Sequence, residues 1–342
     1  HNPMIKEQVK SLWKLCFDDS EAFIELYFRL RYNNEVNLAI QSGEEVIAAL
    51  QMLPYPMTFC NKIVPTSYIS GACTHPDYRA KGVMRELLSQ SFARMLRNGV
   101  LFSTLIPAEP WLFGYYAKTG YTPAFRISHK VFSLSELTIG PEPDTMIEET
   151  TEYQEDYYQY LTGKLSERAC CLQHTPTDFK VVLADLALTQ NTVLIARKDN
   201  RVTGIAVAYK HDDSSYINEL FADNEAVRAQ LLYRAGLRNG TERIILQLPP
   251  VESLPSVPLG MARIIDARAV LQLYAAGCPE VEMNIELTDE QLSVNNGYYY
   301  LCKGKCMTSE VRLPGVHTRM TIAELSEKIL DEMQPYMSLM MN

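Results

Sequence analysis

One order of elements occurs twice in this chain, and that repetition constrains the fold more than any other feature. Residues 3–17 and 20–32 carry apolar side chains at helical spacing. In the second run Phe23, Ile24, Tyr27, Phe28 and Leu30 recur by three and four, behind Asp18, Asp19 and Ser20 as N-cap candidates. Strand-like runs follow at 36–41, 46–53, 57–64 and 68–74. A helix is predicted over 82–96, with Val83, Met84, Leu87, Leu88, Phe92 and Met95 as its stripe, then a strand at 100–106. A short helix at 111–116 and a strand at 124–134 close this half. Two prolines and a glycine break the periodicity at 138–144. Beyond them the pattern returns: helices at 151–165 and 178–187, strands at 192–198, 202–210 and 216–222, a helix at 226–236 and a strand at 243–247. The second half reads as a diverged copy of the first.

A proline-rich stretch at 249–258 marks another boundary. Past it Val281, Met283, Ile285 and Leu287 alternate with polar residues, as in a half-buried strand, and 298–302 is its expected partner across Asn295-Asn296-Gly297. Thr321-Ile322-Ala323-Glu324 is a capping box that opens a helix carrying Ile322, Leu325, Ile329 and Leu330. The expectation is an α/β protein with mixed central sheets flanked by helices, in three parts: 1–137, 146–250 and a small mixed α/β domain at 258–342.

With 342 residues, the chain is long enough for two or three domains. Its 47% hydrophobic and 21% charged residues fit a soluble protein. No apolar run reaches the ~20 residues of a membrane span, and the amphipathic start has no signal-peptide core, so a cytoplasmic location without membrane partners is expected. A formal charge of −9 argues against nucleic acid, which needs a basic footprint. That charge suits a cationic acceptor and suits plain solubility as well. Most of the eight cysteines sit in apolar stretches, as small buried hydrophobes do. Cys302-x-x-x-Cys306 lacks nearby histidines, and no metal site is expected.

The chemistry concentrates at 68–84. A strand runs through Ala72, Cys73 and Thr74 into His75-Pro76-Asp77-Tyr78, then into Arg79, Ala80, Lys81, Gly82, Val83 and Met84, where a helix begins. Such a junction aims unpaired amides and the positive end of a helix dipole at one point. Gly82 permits close approach of a ligand, Arg79 and Lys81 add charge, and a pyrophosphate fits. An ordinary strand-to-helix turn with solvated Arg79 and Lys81 accounts for the same residues. The turn is neither a P-loop nor a dinucleotide fingerprint.

The spelling Arg79-Ala80-Lys81-Gly82-Val83-Met84 resembles the Arg/Gln-x-x-Gly-x-Gly/Ala motif of GNAT N-acetyltransferases, with Met84 where a small residue is usual. By layout the chain is most similar to the enhanced-intracellular-survival branch: a GNAT domain, a degenerate second GNAT-like domain and a C-terminal sterol-carrier-like domain, here shorter than usual. This resemblance implies acetyl-CoA as cofactor. The turn from Arg79 to Met84 would bind its pyrophosphate, and backbone groups of Ala72, Cys73 and Thr74 its pantetheine arm.

An N–H of that strand would also polarise the thioester carbonyl. Tyr116, four residues before Gly120-Tyr121, matches the family's general acid toward the CoA sulfur; a packed aromatic beside Phe113 and Tyr115 is the alternative. Tyr121 is expected to pack. The C-terminal carboxylate, here of Asn342, would be the base, delivered by the apolar tail 336–341. A docked tail without chemistry is the alternative, and Glu109 and His75 are fallback bases. The acceptor would be a small-molecule or peptide amine, such as an aminoglycoside-like polyamine or a lysine, and the enzyme a homo-oligomer. An inactive acyl-CoA-binding sensor is the rival reading. The equivalent junction of the second copy, around Asp223, Asn224 and Glu225, has no glycine or basic residue and is expected to have lost its cofactor.

Overall fold

The computed structural model describes residues 3–341 and opens with two helices, α1 (Pro3–Cys16) and α2 (Glu21–Leu30). Ser20 caps α2 by accepting from the Phe23 amide. Trp13 joins the helices through Tyr27 and Phe28, with ring centroids 4.5 and 5.6 Å away.

Three strands follow, β1 (Asn37–Ser42), β2 (Glu45–Phe59) and β3 (Lys62–Thr74). The sequence reading placed three short strands at 46–53, 57–64 and 68–74, but β2 and β3 are two long strands of one hairpin. Its turn is Cys60-Asn61, both with positive φ. Pro56 faces Pro65 and Pro54 faces Ser67. In a pair whose N–H groups point away from the ladder a proline loses nothing. β1 ends its pairing with β2 at Gln51, before either proline of β2.

Next come α3 (Val83–Arg97), β4 (Phe102–Leu105), α4 (Leu112–Ala117), β5 (Thr122–Ser133) and β6 (Thr145–Thr150). The order then repeats as α5 (Glu155–Ser166), α6 (Pro176–Leu188), β7 (Thr192–Lys198), β8 (Arg201–His211), β9 (Ser214–Ala222), α7 (Glu225–Asn239) and β10 (Arg243–Leu248). The last part holds β11 (Ser256–Ile264), α8 (Ala267–Gly277), β12 (Met283–Thr288), β13 (Gly297–Cys302), β14 (Lys305–Ser309), β15 (Thr318–Thr321) and α9 (Ile322–Asp331). Strands β6, β11, β14 and β15 and helix α8 are elements that the sequence pattern did not reveal.

The chain forms two compact units. One takes the residues up to Phe125 together with Leu259–Pro335, the other Arg126–Pro258 and Tyr336–Met341. In the first unit the strand order is β1-β2-β3-β4-β11, with β3 and β4 parallel and β11 antiparallel to β4. In the second it is β5-β10-β9-β8-β7-β6, with β9 and β10 parallel and β5 antiparallel to β10. Each repeat therefore ends on a strand taken from the segment that follows the other repeat, an exchange invisible to element order alone.

Residues beyond Leu259, read from sequence as part of a separate domain, share the first unit with the N-terminal repeat. There a four-stranded sheet, β14-β13-β12-β15, buries Ile285, Leu287, Tyr299 and Leu301. The capping box at Thr321 and Glu324 opens α9 with both of its bonds made.

Candidate functional site

The end of β3 is where the first unit opens. β3 and β4 pair from Thr66–Phe102 to Ile69–Leu105, where β4 stops, while β3 runs on to Thr74. Ser70, Gly71, Ala72, Cys73 and Thr74 therefore present an edge without a β4 partner. Opposite, Gln51 faces Ser70 but Ala49 faces Cys73, so β3 bulges between them. Gly71 sits in this bulge with φ +63°, and a Cβ there would lie 2.1 Å from Trp13 Cζ3. Helix α1 thus presses on the bulge through Trp13.

Past Thr74 the chain makes a single tight turn at Pro76–Tyr78, capped by His75 Nδ1, which accepts from the Asp77 amide at 3.1 Å. Arg79 folds back and donates from Nε to the Thr74 carbonyl at 3.1 Å. Ala80 and Gly82 both take left-handed backbone, φ +62° and +78°. Successive amides around such residues turn into a shared concavity that suits an anion. Gly82 is the N-cap of α3 and supplies no side-chain bond, so the first-turn amides of α3 lack a side-chain cap. A Cβ at Gly82 would meet nothing within 4 Å. The glycine serves its backbone angle rather than close packing. Arg79, Ala80 and Lys81 are exposed and Val83 and Met84 half-buried. These residues can hold a pyrophosphate at the helix N-terminus.

Tyr116 lies on α4, 8% exposed, within a cluster that includes Ile69 and Leu105, the last paired residues of the opening, with Ala72 packed against it. Its ring meets Tyr115 and Tyr121 edge-on at 5.3 and 5.8 Å. Burial pushes its phenol well above the ordinary tyrosine range. The Tyr121 hydroxyl, by contrast, is bonded to the Ser103 hydroxyl at 2.8 Å.

The turn after α4 is held from inside. Thr119 Oγ1 donates to the Tyr116 carbonyl at 2.9 Å, and Arg263 of β11 donates from Nη1 to the Thr119 carbonyl at 3.0 Å. Arg263 also pairs with Asp289, both side chains fully buried, and its guanidinium stands 4.4 Å over Phe92. Sequence reading passed over Arg263 and Asp289, because the sequence carries no sign that a given charge is buried.

Among the candidate bases, Asn342 lies outside the described residues. The tail before it belongs to the second unit. Tyr336 donates its amide to the Cys170 carbonyl at 2.9 Å and accepts from Leu172 at 3.1 Å. His174 Nε2 lies 2.8 Å from the Ser338 carbonyl, and Ser338 Oγ donates to Glu219. Tyr336, Met337, Leu339 and Met341 are buried. Glu109 accepts from Trp111 Nε1 on an exposed loop. His75 stands 3.8 Å from Glu45 and from Asp77.

In the second copy the matching junction is occupied by its own side chains. Asn224 caps α7 by accepting from the Val227 amide at 2.9 Å, and Asp223 accepts from the Tyr160 hydroxyl at 2.9 Å. The acidic groups and the side-chain cap there oppose binding of an anion.

A cleft of about 510 Å³, lined by Met4, Leu12, Leu15, Val46 and His75 among others, lies on the α1 side of the first unit's sheet. Val46 packs in the α1 cluster and Tyr116 in the α3 cluster, so this cleft is on the face away from Tyr116. Among the described residues no group of side chains is arranged to hold a metal, and no helix is long and apolar enough to cross a membrane.

Residues 5–124 match the family model of the acetyltransferase (GNAT) domain. A search of curated protein sequences finds no match. Among solved structures, a GCN5-related N-acetyltransferase from Anabaena variabilis is similar at 16% identity and TM-score 0.78, over 98% of this chain and 97% of that one. A GCN5-related N-acetyltransferase from Kribbella flavida is similar at 17% identity and TM-score 0.75, over 100% and 97%. Eis1 from Mycobacterium abscessus is similar at 12% identity and TM-score 0.72, over 96% and 88%. At these identities the likeness is one of fold. The matched domain makes the chain a transferase, with acetyl-CoA as its cofactor.

Proposed function

We propose that this protein transfers an acetyl group from acetyl-CoA directly to a primary amine, with Tyr116 as general acid. The observation that supports it best is the position of Tyr116 in the cluster that flanks the opening between β3 and β4, against which Val83 and Met84, just past Gly82, also pack. Acetyl-CoA supplies an activated acyl group on a thiolate leaving group. The amides after Gly82, with Arg79 and Lys81, hold its pyrophosphate, and the free edge at Ala72, Cys73 and Thr74 aligns the arm and polarises the thioester carbonyl. Tyr116 gives its proton to the departing sulfur, and its elevated pKa keeps that proton available. In this reading the Asn342 carboxylate takes the proton from the amine.

The acceptor is a small-molecule or peptide amine, such as an aminoglycoside-like polyamine or a lysine side chain. In this reading 1–137 carries the catalytic site, 146–250 is a copy without cofactor, and 258–342, most of which packs in the first unit, is a short sterol-carrier-like part. The protein works in the cytoplasm as a homo-oligomer, with light scattering as the check on assembly.

The test is calorimetric titration of acetyl-CoA into the wild type and Tyr116→Phe, paired with thiol release against a panel of amines. Binding by both proteins with turnover only in the wild type is expected. Equal turnover removes Tyr116 from the chemistry, and binding without turnover on any amine leaves an acyl-CoA sensor.

A further inference from the structure

Two cysteines from separate elements meet beneath the cofactor turn. Cys16 ends α1 and Cys73 is next to last in β3; Cys16 packs against the apolar cluster that holds Cys73 and bonds the backbone of Thr74, the next residue. As a thiol, Cys16 donates to the Thr74 carbonyl at 3.4 Å; as a thiolate it accepts from Arg79 Nη2 at 3.7 Å. Arg79 holds the same Thr74 carbonyl from Nε. The two sulfurs, guanidinium and carbonyl therefore lie together, and three of their residues, Cys73, Thr74 and Arg79, belong to the proposed cofactor site. Cys16 is half-buried and open to a small oxidant, while Cys73 is buried behind it.

The Cys16 thiol is brought down to about 6, first by the Cys73 hydrogen bond and then, against its own desolvation, by Arg79 and His75. The end of a helix dipole opposes an anion there, and these contacts offset it. Burial instead pushes Cys60 and Cys171 up to about 12 and Cys306 up to about 11. A thiolate with a resolving thiol in contact is the arrangement that oxidises first.

We propose that Cys16 and Cys73 are an oxidisable thiol pair whose disulfide weakens acetyl-CoA binding at the adjacent Arg79 turn. The Cys16 thiolate attacks a hydroperoxide: an S–O bond forms, the O–O bond breaks, and the alkoxide or hydroxide leaves with a proton from solvent. The Cys73 sulfur then attacks the sulfenic sulfur, giving up its proton as the S–S bond forms and the S–O bond breaks, and water departs. Two thiols lose two electrons, and the hydroperoxide is reduced to an alcohol, or to water, plus one further water. Bonding draws the sulfurs from contact to ~2.05 Å, which shifts Cys73 on the edge strand and removes the thiolate that faces Arg79. The effect on acetyl-CoA rests on the functional reading above; formation of the disulfide does not. By linkage, bound acetyl-CoA disfavours the disulfide by the same factor that the disulfide weakens acetyl-CoA.

The experiment treats the full chain with hydrogen peroxide, maps disulfides by peptide mass spectrometry, and titrates acetyl-CoA by calorimetry before oxidation, after it, and after dithiothreitol. The expected result is a Cys16–Cys73 linked peptide formed before any other cross-link. Its formation weakens acetyl-CoA at least about tenfold, reversibly, and saturating acetyl-CoA suppresses it. Cys16→Ser binds acetyl-CoA equally before and after peroxide, and the dithiothreitol reversal on the wild type gives the same reading should that variant fold poorly. Oxidation of Cys16 without a link to Cys73, a different first cross-link, or a disulfide with unchanged affinity overturns the proposal. Failure of the reduced wild type to bind acetyl-CoA sinks the functional reading instead, with the disulfide mapping unaffected.

Discussion

Arg263 Nη1 donates to the Thr119 carbonyl at 3.0 Å, so a strand 144 residues away in sequence fixes the turn that ends the Tyr116 helix. Gly120 makes this possible: it takes φ +95°, and a Cβ there would lie 2.7 Å from Arg263 Nη1. Asp289 balances the buried cation and accepts from the Gln291 and Leu292 amides and from Asn295 Nδ2. Segment 289–295 thereby joins the α4 turn to the small sheet within one unit.

Arg263→Met alone leaves Asp289 as an uncompensated buried charge and is expected to cost about 3–5 kcal/mol in urea unfolding. Arg263→Met with Asp289→Leu removes both charges and is expected to recover most of that loss. Turnover stays low in the double variant, because Thr119 still lacks its donor. Stability and turnover recovering together count against a positioning role for Arg263.

The two left-handed glycines on either side of the Arg79 turn separate strain from crowding. Gly82→Ala has open space and meets only the backbone penalty, about 1–2 kcal/mol. Its expected effect is weaker acetyl-CoA binding with a modest fall in Tm. Gly71→Ala meets the same penalty and also drives a Cβ into the Trp13 ring. It is expected to unfold at lower urea than Gly82→Ala, and the reverse order would mean that Trp13 moves aside freely.

How far the sequence was readable follows from the range of each signal. Helix stripes such as Leu87, Leu88, Phe92 and Met95 and the capping box at Thr321 are local, and both appear in the fold. The turn from Arg79 into the helix after Gly82 was legible for the same reason, since a glycine at a helix start is a local signal. The true extent of β2 and β3 was not legible, because whether a strand continues through Pro54, Pro56 and Pro65 depends on which neighbours its ladder has. Arg263, Asp289 and the Cys16–Cys73 contact were not legible at all. Each is a meeting of segments far apart in sequence, and a single chain's pattern says nothing about which far segments meet.

Alkaline stability carries the imprint of the buried tyrosines. Burial raises the phenols of Tyr27, Tyr68, Tyr116 and Tyr121 well above 10. Below the unfolded value of ~10 the phenol is protonated in both states and its stability contribution is fully present. As pH rises past 10 the unfolded chain loses these protons first, so folding stability falls steadily from there toward the raised folded values. Tyrosinate absorbance is expected to appear together with loss of the fold rather than before it. A gradual titration of these four phenols with the fold intact would contradict their burial.

The tail gives a test that separates support from chemistry. Arg168 grips Glu219 through two bonds, at 3.0 and 2.9 Å, and lies between the Phe221 and Tyr336 rings, with centroids at 4.9 and 4.7 Å. Truncation after Pro335 removes one of those rings, the Ser338 bond to Glu219, and buried side chains worth about 1.5–3 kcal/mol each. Its expected result is a fall in Tm with Arg168 and Glu219 partly opened to water, whatever the tail does in catalysis. Deleting Asn342 alone removes no residue that makes those contacts, and it displaces the carboxylate proposed as base. If that carboxylate is the base, kcat falls by about 10²–10⁴ while Tm and acetyl-CoA affinity hold. If kcat is unchanged, the tail is a strap for the second unit only, and the base must be sought at Glu109 or His75.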